Sequence, residues 1–244
     1  MKLFVFLILF VNSIYGFSKD LVVGVITSAP PFAEMSVTPD GSYFFGFAID
    51  IMNSICKQLN IQCIFSPLTL NTQFTALNEG KVDVVLLANP YEPAKLSSYA
   101  ISLPYLISKV RFITLQNNPV KKGDPIKNFK IGVIKTTYYD LLEHTAYKNN
   151  NTIIPFGTLP DLLAALVGSK VDLILLNSDL AYYLMNNNTY GVKAVSDEIV
   201  LGQGYGIIAL PSNAALITSI NKAILAMQTN GTYLTIYNTY YNSN

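Results

Sequence analysis

Hydrophobic and polar positions along the chain predict an alternation of strands and helices. Two strand-sized runs, at residues 82–88 and 171–176, are apolar except for one Asp at their second position. Apolar runs of this length are typical of parallel strands that are covered on both faces. A helix end and a glycine-containing turn precede each run, so the pattern predicts an α/β fold.

One helix–turn–strand unit occurs twice in the chain. Residues 76–87 and 165–176 share seven residues at a constant separation of 89 positions, including the tripeptide Lys-Val-Asp. A second match lies upstream of each copy, between residues 22–26 and residues 130–134. Short motifs of this kind occur in any α/β protein, but the identical Lys-Val-Asp in both copies favours two similar α/β lobes.

Periodicity also predicts an amphipathic helix in the first lobe. Its apolar face recurs at every fourth residue, in Phe47, Ile51, Ile55 and Leu59, and the next strand is expected at residues 61–65.

Two later helices have predicted ends. One begins after Thr158, with Pro160 in its first turn, and ends at Gly168. Ser212 is expected to cap a C-terminal helix, which Gly231 interrupts before an aromatic last segment.

Two segments, residues 111–115 and 203–210, are expected to carry the chain between the lobes. Two crossings mean that the second lobe is inserted into the first. The predicted division is a signal peptide at residues 1–18, lobe one at residues 19–112 and 207–244, and lobe two at residues 113–206.

A cleft between the lobes is the expected binding site, because ligands of open α/β sheets bind beyond the carboxyl ends of the strands. The segments expected to face this cleft are residues 27–32, 88–90, 135–139 and 177–179.

The first eighteen residues are typical of a secretory signal peptide. Lys2 precedes an apolar stretch at residues 3–11, and small residues follow at Gly16 and Ser18. A buried N-terminal helix or strand is the alternative, although nothing periodic continues from this segment. We expect export to the periplasm, with cleavage near residues 16–18.

Composition narrows the class of function. Hydrophobic residues make up 51% of the chain and charged residues 13%, against about 25% charged residues in an ordinary soluble domain. That balance suggests a membrane protein, but no later run approaches the roughly 18 apolar residues that span a bilayer. The formal net charge of +1 lacks the basic footprint of a nucleic-acid-binding protein, so no nucleic acid partner is expected.

Two cysteines, Cys56 and Cys63, lie seven residues apart. In an exported protein a close pair is typical of a disulfide, and two unpaired core thiols are the alternative. Because His144 is the single histidine, the chain offers no obvious zinc site. We expect neither a metal nor a cofactor.

Five motifs, in order and at matching spacing, resemble the bacterial extracellular solute-binding proteins of family 3, which serve polar-amino-acid ABC importers. They are residues 29–32 (Ala-Pro-Pro-Phe) after an opening strand, 46–51 (Gly-Phe-Ala-Ile-Asp-Ile), 77–83 (Leu-x-x-Gly-Lys-Val-Asp), 102–105 (Ser-Leu-Pro-Tyr) and 230–233 (Asn-Gly-Thr-Tyr). Ala48 and Ile101 replace the Asp and Phe that are usual in the family. The resemblance covers nearly the whole mature chain.

This resemblance implies the two-lobed type II periplasmic-binding-protein fold, an α/β architecture. Each lobe is then an open, mostly parallel sheet flanked by helices, with the cleft between the lobes. The cysteine pair looks most like that of the lysine/arginine/ornithine and histidine binders, which carry a disulfide at this helix-to-strand position.

The resemblance also implies ligand-binding residues on both lobes. In such proteins an Arg binds the ligand carboxylate, a Gly/Thr loop assists it, and an Asp binds the ammonium group. The matching positions here are Lys95, Thr137 and Asn177, so both charged anchors are altered. A solvated surface lysine is the alternative for Lys95. Asp179, two residues after Asn177, either lies in the first turn of the next helix, where acids are favourable, or compensates for the missing charge at Asn177. The other matching positions are Ile26, Ala29, Leu70 and Ala88. Tyr138, which follows the Gly/Thr loop, is a further candidate that can stack on or hydrogen-bond a ligand.

Three functions remain open. The preferred one is a periplasmic solute-binding protein, which captures a small polar or zwitterionic, amino-acid-like solute by hinge closure. It has no catalytic residue, acts as a monomer and docks transiently on an inner-membrane ABC permease. The second is a periplasmic enzyme resembling cyclohexadienyl or arogenate dehydratases, which would need a positioned general acid. The third is a sensing module without a transport role.

Overall fold

A computed structural model of the protein describes residues 20–29, 31–39, 41–187 and 190–241. The predicted signal peptide at residues 1–18 lies outside the described residues. The strands are β1 (Leu21–Ile26), β2 (Ser28–Ala29), β3 (Ala33–Thr38), β4 (Gly41–Phe45), β5 (Cys63–Leu68), β6 (Val84–Leu86), β7 (Ala100–Ile101), β8 (Lys109–Leu115), β9 (Lys130–Ile134), β10 (Thr152–Phe156), β11 (Leu173–Asn177), β12 (Val192–Ala194), β13 (Ile199–Val200) and β14 (Ile207–Ala209). The helices are α1 (Phe47–Leu59), α2 (Gln73–Asn78), α3 (Asp140–Glu143), α4 (Ala146–Asn150), α5 (Leu159–Val167), α6 (Ser178–Asn186), α7 (Ala214–Thr229) and α8 (Thr232–Tyr241).

Two mixed sheets form the two lobes. The first sheet has the order β5-β1-β6-β14-β7, and the second has the order β10-β9-β11-β8-β12, with β13 paired to β8. One strand of each lobe lies between two parallel neighbours, β1 between β5 and β6, and β9 between β10 and β11. Helices flank both sheets, so the predicted two-lobed α/β fold is confirmed.

The chain passes between the two sheets twice, between β7 and β8 and again between β13 and β14. The expectation that residues 111–115 form a crossing is wrong, because this segment belongs to β8, which pairs with β11 and β12. The boundary expected between residues 112 and 113 therefore falls inside a strand of the second sheet. At the crossings, Leu106 and Tyr205 pair in an isolated antiparallel bridge.

The repeated Lys-Val-Asp puts an aspartate at the same position in each lobe. The Asp83 carboxylate accepts a 2.9 Å hydrogen bond from the Val22 backbone N–H, and the Asp83 N–H donates to the Val22 carbonyl at 2.8 Å. In the second lobe, Asp172 makes the same two bonds with Lys130, at 2.7 and 2.8 Å. Val22 lies in β1 and Lys130 in β9, at matching positions of the repeat. The repeat therefore encodes the same link between strands twice.

The core of the first lobe lies between its sheet and the helices α1, α7 and α8. Phe47, Ile51 and Ile55 are buried on α1, as their fourfold spacing predicts. The α8 helix adds an aromatic layer, because four tyrosine rings have centroids 5.2–6.2 Å from that of Phe47. These rings belong to Tyr233, Tyr237, Tyr240 and Tyr241.

A disulfide joins Cys56, near the end of α1, to Cys63 at the start of β5, with 6.0 Å between the two Cα atoms. The predicted pairing is confirmed. It ties the helix to the strand that follows it, and β5 in turn pairs with β1 at the edge of the first sheet.

Helix ends agree with the sequence at Thr158 and differ at Ser212. The Thr158 hydroxyl caps α5 by accepting from the Asp161 N–H at 3.3 Å. Ser212 does not cap α7, because a 3-10 turn at Pro211–Asn213 delays the helix until Ala214. Within the described ranges, no helix is long and apolar enough to cross a membrane.

Candidate functional site

A cavity of about 500 Å³ lies between the two lobes. The first lobe contributes residues that follow β1 and β6, such as Phe32 and Asn89. The second lobe contributes residues that follow or end β9 and β11, such as Thr136 and Asn177. These are the carboxyl ends of parallel strands, where ligands bind in open α/β sheets. The strand topology alone therefore accounts for the position of the cavity.

Six of the eight positions implied by the resemblance line this cavity. They are Ile26, Leu70, Ala88, Thr137, Tyr138 and Asn177. Ala29 lies in β2, where its backbone pairs with Ala33. Lys95 lies outside the lining, in a 3-10 turn at Pro93–Leu96. Their part in ligand binding stays a prediction.

Lys95 forms an ion pair between the lobes. Its Nζ lies 2.9 Å from Oδ2 of Asp140 in α3 and 3.6 Å from Oε2 of Glu92 in its own lobe. The hydrogen bond with Asp140 is the main cause that raises the pKa of the Lys95 ammonium. The positive charge that the resemblance assigns to a ligand carboxylate is thus already balanced by two protein carboxylates.

Asn177 is the N-cap of α6. Its Oδ1 accepts from the backbone N–H of Asp179 at 2.8 Å and of Leu180 at 3.4 Å, as asparagine commonly does at this position. Its Nδ2 donates to the Tyr205 hydroxyl at 3.4 Å. The side chain lines the cavity, but its amide groups are largely engaged within the protein.

A pair of buried tyrosines forms part of the cavity wall. The hydroxyls of Tyr138 and Tyr205 lie 3.0 Å apart, and burial raises the pKa of both phenols. Both side chains are therefore neutral at physiological pH. Tyr138 lies in the π-helical turn that opens the second lobe's first helix, and Tyr205 lies at a crossing between the lobes. The neighbouring Tyr139 packs instead against the core of the second lobe.

Asp179 is the one charged side chain in the lining, as far as the described residues extend. Solvent reaches it through the open cavity, but the surrounding walls desolvate the carboxylate and raise its pKa. The nearby cations Lys109 and Arg111 pair with Glu198 instead, at 3.1 and 3.3 Å. No hydrogen bond to the Asp179 carboxylate occurs among the described residues, so this acid is available to a ligand.

Aromatic and apolar side chains supply most of the remaining wall. Phe32 packs against Tyr205, with 5.4 Å between ring centroids, and Tyr241 reaches the cavity from the end of α8. Tyr205 and Tyr241 line the cavity without having been predicted from the sequence. Both lie far along the chain from the strand ends, and neither belongs to a motif that names a ligand contact.

The histidine does not support the enzyme hypothesis. His144 lies outside the cavity lining, and its Nδ1 is 2.6 Å from the Asp140 carbonyl oxygen. The described residues also contain no group of three His, Cys, Asp or Glu side chains placed to hold a metal ion.

A model of the bacterial extracellular solute-binding proteins, family 3, matches residues 21–243. The chain belongs to this family. The chain is 24% identical over 238 residues to ABC transporter arginine-binding protein 1 of Escherichia coli (strain K12), covering 96% of each chain. Over 215 residues it is 26% identical to the L-cystine-binding protein TcyJ of the same strain, covering 87% of this chain and 79% of the relative.

A solved periplasmic binding protein has the same fold. The crystal structure of an arginine 3rd transport system periplasmic binding protein from Legionella pneumophila aligns with a TM-score of 0.76 and 31% identity. The alignment covers 91% of this chain and 99% of that chain. Membership of the family favours solute binding over the enzyme and sensing alternatives.

Proposed function

We propose that this family 3 protein binds a small, basic, amino-acid-like solute in the cavity between its lobes. The observation that carries the proposal is Asp179, an unpaired carboxylate in a lining where no described residue is cationic. A cationic group of the solute would form a charge-assisted hydrogen bond with this carboxylate. The similarity to arginine-binding proteins supports the same class of solute.

The walls suit the aliphatic part of such a solute. Phe32, Leu70 and Tyr241 line the cavity with apolar and aromatic surface, against which methylene groups pack favourably. The hydroxyls of Thr137 and Thr158 supply polar groups from the second lobe. This arrangement binds a solute and contains no group assigned to a reaction step, so we propose binding without turnover.

Closure would follow rotation about the two crossings, the usual motion of two lobes joined by short connections. The closed, exported monomer would then present the solute to an inner-membrane ABC permease. The paired backbones of Leu106 and Tyr205 mark the axis that we propose for this motion. The Lys95–Asp140 pair would stabilise the closed form from the other side of the cleft.

A thermal-shift screen tests the proposal. The chain without residues 1–18 is melted with lysine, arginine, ornithine, histidine, cystine, glutamine and glutamate. A basic ligand at 100 times its Kd should stabilise the protein by about 2.7 kcal/mol, which raises the melting temperature by roughly 5–10 °C for a chain of this size. Glutamate should give no shift. The absence of a shift with every basic solute, or an equal shift with glutamate, would contradict the proposal.

A further inference from the structure

The C-terminal helix α8 ends at the cavity between the lobes, where Tyr241 forms part of the wall. Gly231, with a φ of 82°, separates α8 from α7 and lets the chain turn back over α1. A left-handed φ of this kind costs glycine least, because it has no Cβ. The helix break therefore brings a residue from the end of the chain to the solute cavity.

The ring of Tyr241 is supported from behind by aromatic packing. Its centroid lies 5.2 Å from that of Phe47, which is fully buried at the start of α1, and 4.9 Å from that of Tyr237. The neighbouring Tyr240 hydroxyl donates to Oδ2 of Asp50 on α1 at 2.6 Å. Packed interiors resist displacement, so the Tyr241 ring is held as a rigid wall.

The start of α1 also fixes a second part of the cavity wall. The backbone N–H groups of Phe47 and Ala48 donate to the carbonyls of Pro31 and Phe32 at 3.0 and 2.9 Å. Pro31 and Phe32 both line the cavity. Since Phe47 contacts Tyr241 as well, one helix end sets the distance between these two parts of the first-lobe wall.

The second lobe places Asp179 in the same lining as Tyr241. Burial, and then the negative charge of Asp179, raises the pKa of the Tyr241 hydroxyl, so the phenol is neutral and close to this carboxylate. A solute held at Asp179 therefore meets the Tyr241 ring from the first lobe. One extra or missing methylene group in an apolar pocket changes discrimination by roughly tenfold or more, so the position of such a wall determines which chain length fits.

We infer that Tyr241 is a specificity-determining residue, whose ring limits the length of the solute that fits between the lobes. The inference rests on the proposed function, because it takes the solute to lie against Asp179. A smaller side chain at position 241 lengthens the cavity and a larger one shortens it. The preferred chain length should therefore move in opposite directions in the two kinds of variant.

The test uses ornithine, lysine and homolysine, which differ by one methylene group at each step. Isothermal titration calorimetry measures all three on the wild type, Tyr241→Ala, Tyr241→Trp and Tyr241→Phe. We expect the affinity of homolysine relative to ornithine to rise roughly tenfold in Tyr241→Ala and to fall roughly tenfold in Tyr241→Trp. Tyr241→Phe keeps the ring and should change this ratio less than twofold.

Tyr233→Ala is the matched control. Tyr233 lies on the same helix and packs against Phe47, with 6.0 Å between ring centroids, but it does not line the cavity. Tyr233→Ala and Tyr241→Ala should both lower the melting temperature, because each removes a ring from the aromatic layer. Only the substitutions at position 241 should change the preferred chain length.

An unchanged ratio of homolysine to ornithine in both Tyr241→Ala and Tyr241→Trp would overturn the inference and leave the proposed function intact. An equal loss of affinity for all three solutes would also overturn it, because such a loss reports stability and not solute length. If the wild type bound none of the three solutes and no arginine, the proposed function would fail together with the inference.

Discussion

Lys95 and Asp140 form an ion pair between the two lobes, with 2.9 Å between Nζ and Oδ2. Both side chains are largely exposed, at 45% and 65%. Exposed pairs of this kind contribute about 0.2–1 kcal/mol and are weakened by salt. The pair therefore acts as a modest latch across the cleft, and a ligand carboxylate would have to compete with Asp140 for the same ammonium group.

Replacing Lys95 distinguishes a latch from a ligand contact. We expect Lys95→Met to weaken all solutes alike, by up to about fivefold, because closure becomes less favourable. The effect should be reproduced by Asp140→Asn and should not increase in the double variant. Calorimetric titrations at low and high salt measure it. A loss above tenfold that is confined to carboxylate-bearing solutes would show that Lys95 binds the ligand instead.

Substitutions of Asn177 separate its capping role from its place in the cavity. Asn177→Ala removes the N-cap of α6 and should lower the free energy of unfolding by about 0.5–2 kcal/mol. Asn177→Asp keeps the cap and adds a second negative charge beside Asp179, so we expect tighter binding of a basic solute without loss of stability. Urea unfolding and calorimetry measure the two effects. Equal stability of the wild type and Asn177→Ala would contradict the capping role.

The matched aspartates of the two lobes should behave alike. Asp83→Ala removes a charge-assisted hydrogen bond to β1, and Asp172→Ala removes the matching bond to β9. We expect each substitution to lower the free energy of unfolding by about 1.5–3 kcal/mol. Chemical denaturation measures both variants, with Asp124→Ala on an exposed turn as a comparison. A large effect in one lobe and none in the other would contradict the equivalence.

Binding of a basic solute should depend on pH through Asp179. Desolvation raises the pKa of this carboxyl. As the pH falls, the carboxylate that attracts the solute is therefore protonated at a higher pH than an ordinary aspartate, whose pKa is about 4. On acidification, the affinity for a basic solute should therefore begin to fall at a higher pH than it would with an unperturbed carboxyl. Titrations between pH 4 and pH 8 test this, and a flat profile would contradict it.

The ionised form of Asp179, which favours binding of a basic solute, disfavours the folded state of the unliganded protein. A carboxyl whose pKa is raised by folding favours the folded state below its unfolded pKa, and this contribution is lost as the pH rises through the folded pKa. Unliganded Asp179→Asn should thus be at least as stable as the wild type at pH 7. A lower melting temperature for this variant would indicate a structural role for Asp179.

The internal repeat made the two-lobed fold predictable from local sequence. Lys-Val-Asp occurs in both lobes, and its aspartate bonds β1 in one lobe and β9 in the other. Together with the match between residues 22–26 and 130–134, this repeat predicted two similar lobes. The prediction that residues 111–115 cross between the lobes is wrong, because these residues belong to β8. This strand pairs antiparallel with β11 and β12, which lie far along the chain from it. A pairing between distant segments leaves no local signal that distinguishes such a strand from a connection.

Site residues at the ends of predicted strands could be predicted from the sequence. Residues whose position depends on contacts between distant segments could not. Thr137 and Asn177 fall at the carboxyl ends of β9 and β11, and they line the cavity. The choice of Asp140 as the partner of Lys95 depends on the approach of the two lobes, which the sequence does not specify. Tyr205 likewise joins the cavity because a crossing segment carries it there.

The most direct test of the account is the affinity of a basic amino acid for Asp179→Asn. Asp161→Asn is the matched control, because Asp161 also lies in the first turn of a second-lobe helix and does not line the cavity. Calorimetric titration with lysine or arginine should show binding weakened roughly ten- to a hundredfold by Asp179→Asn and unchanged by Asp161→Asn. Wild-type affinity in Asp179→Asn would contradict the claim that this carboxylate holds the solute.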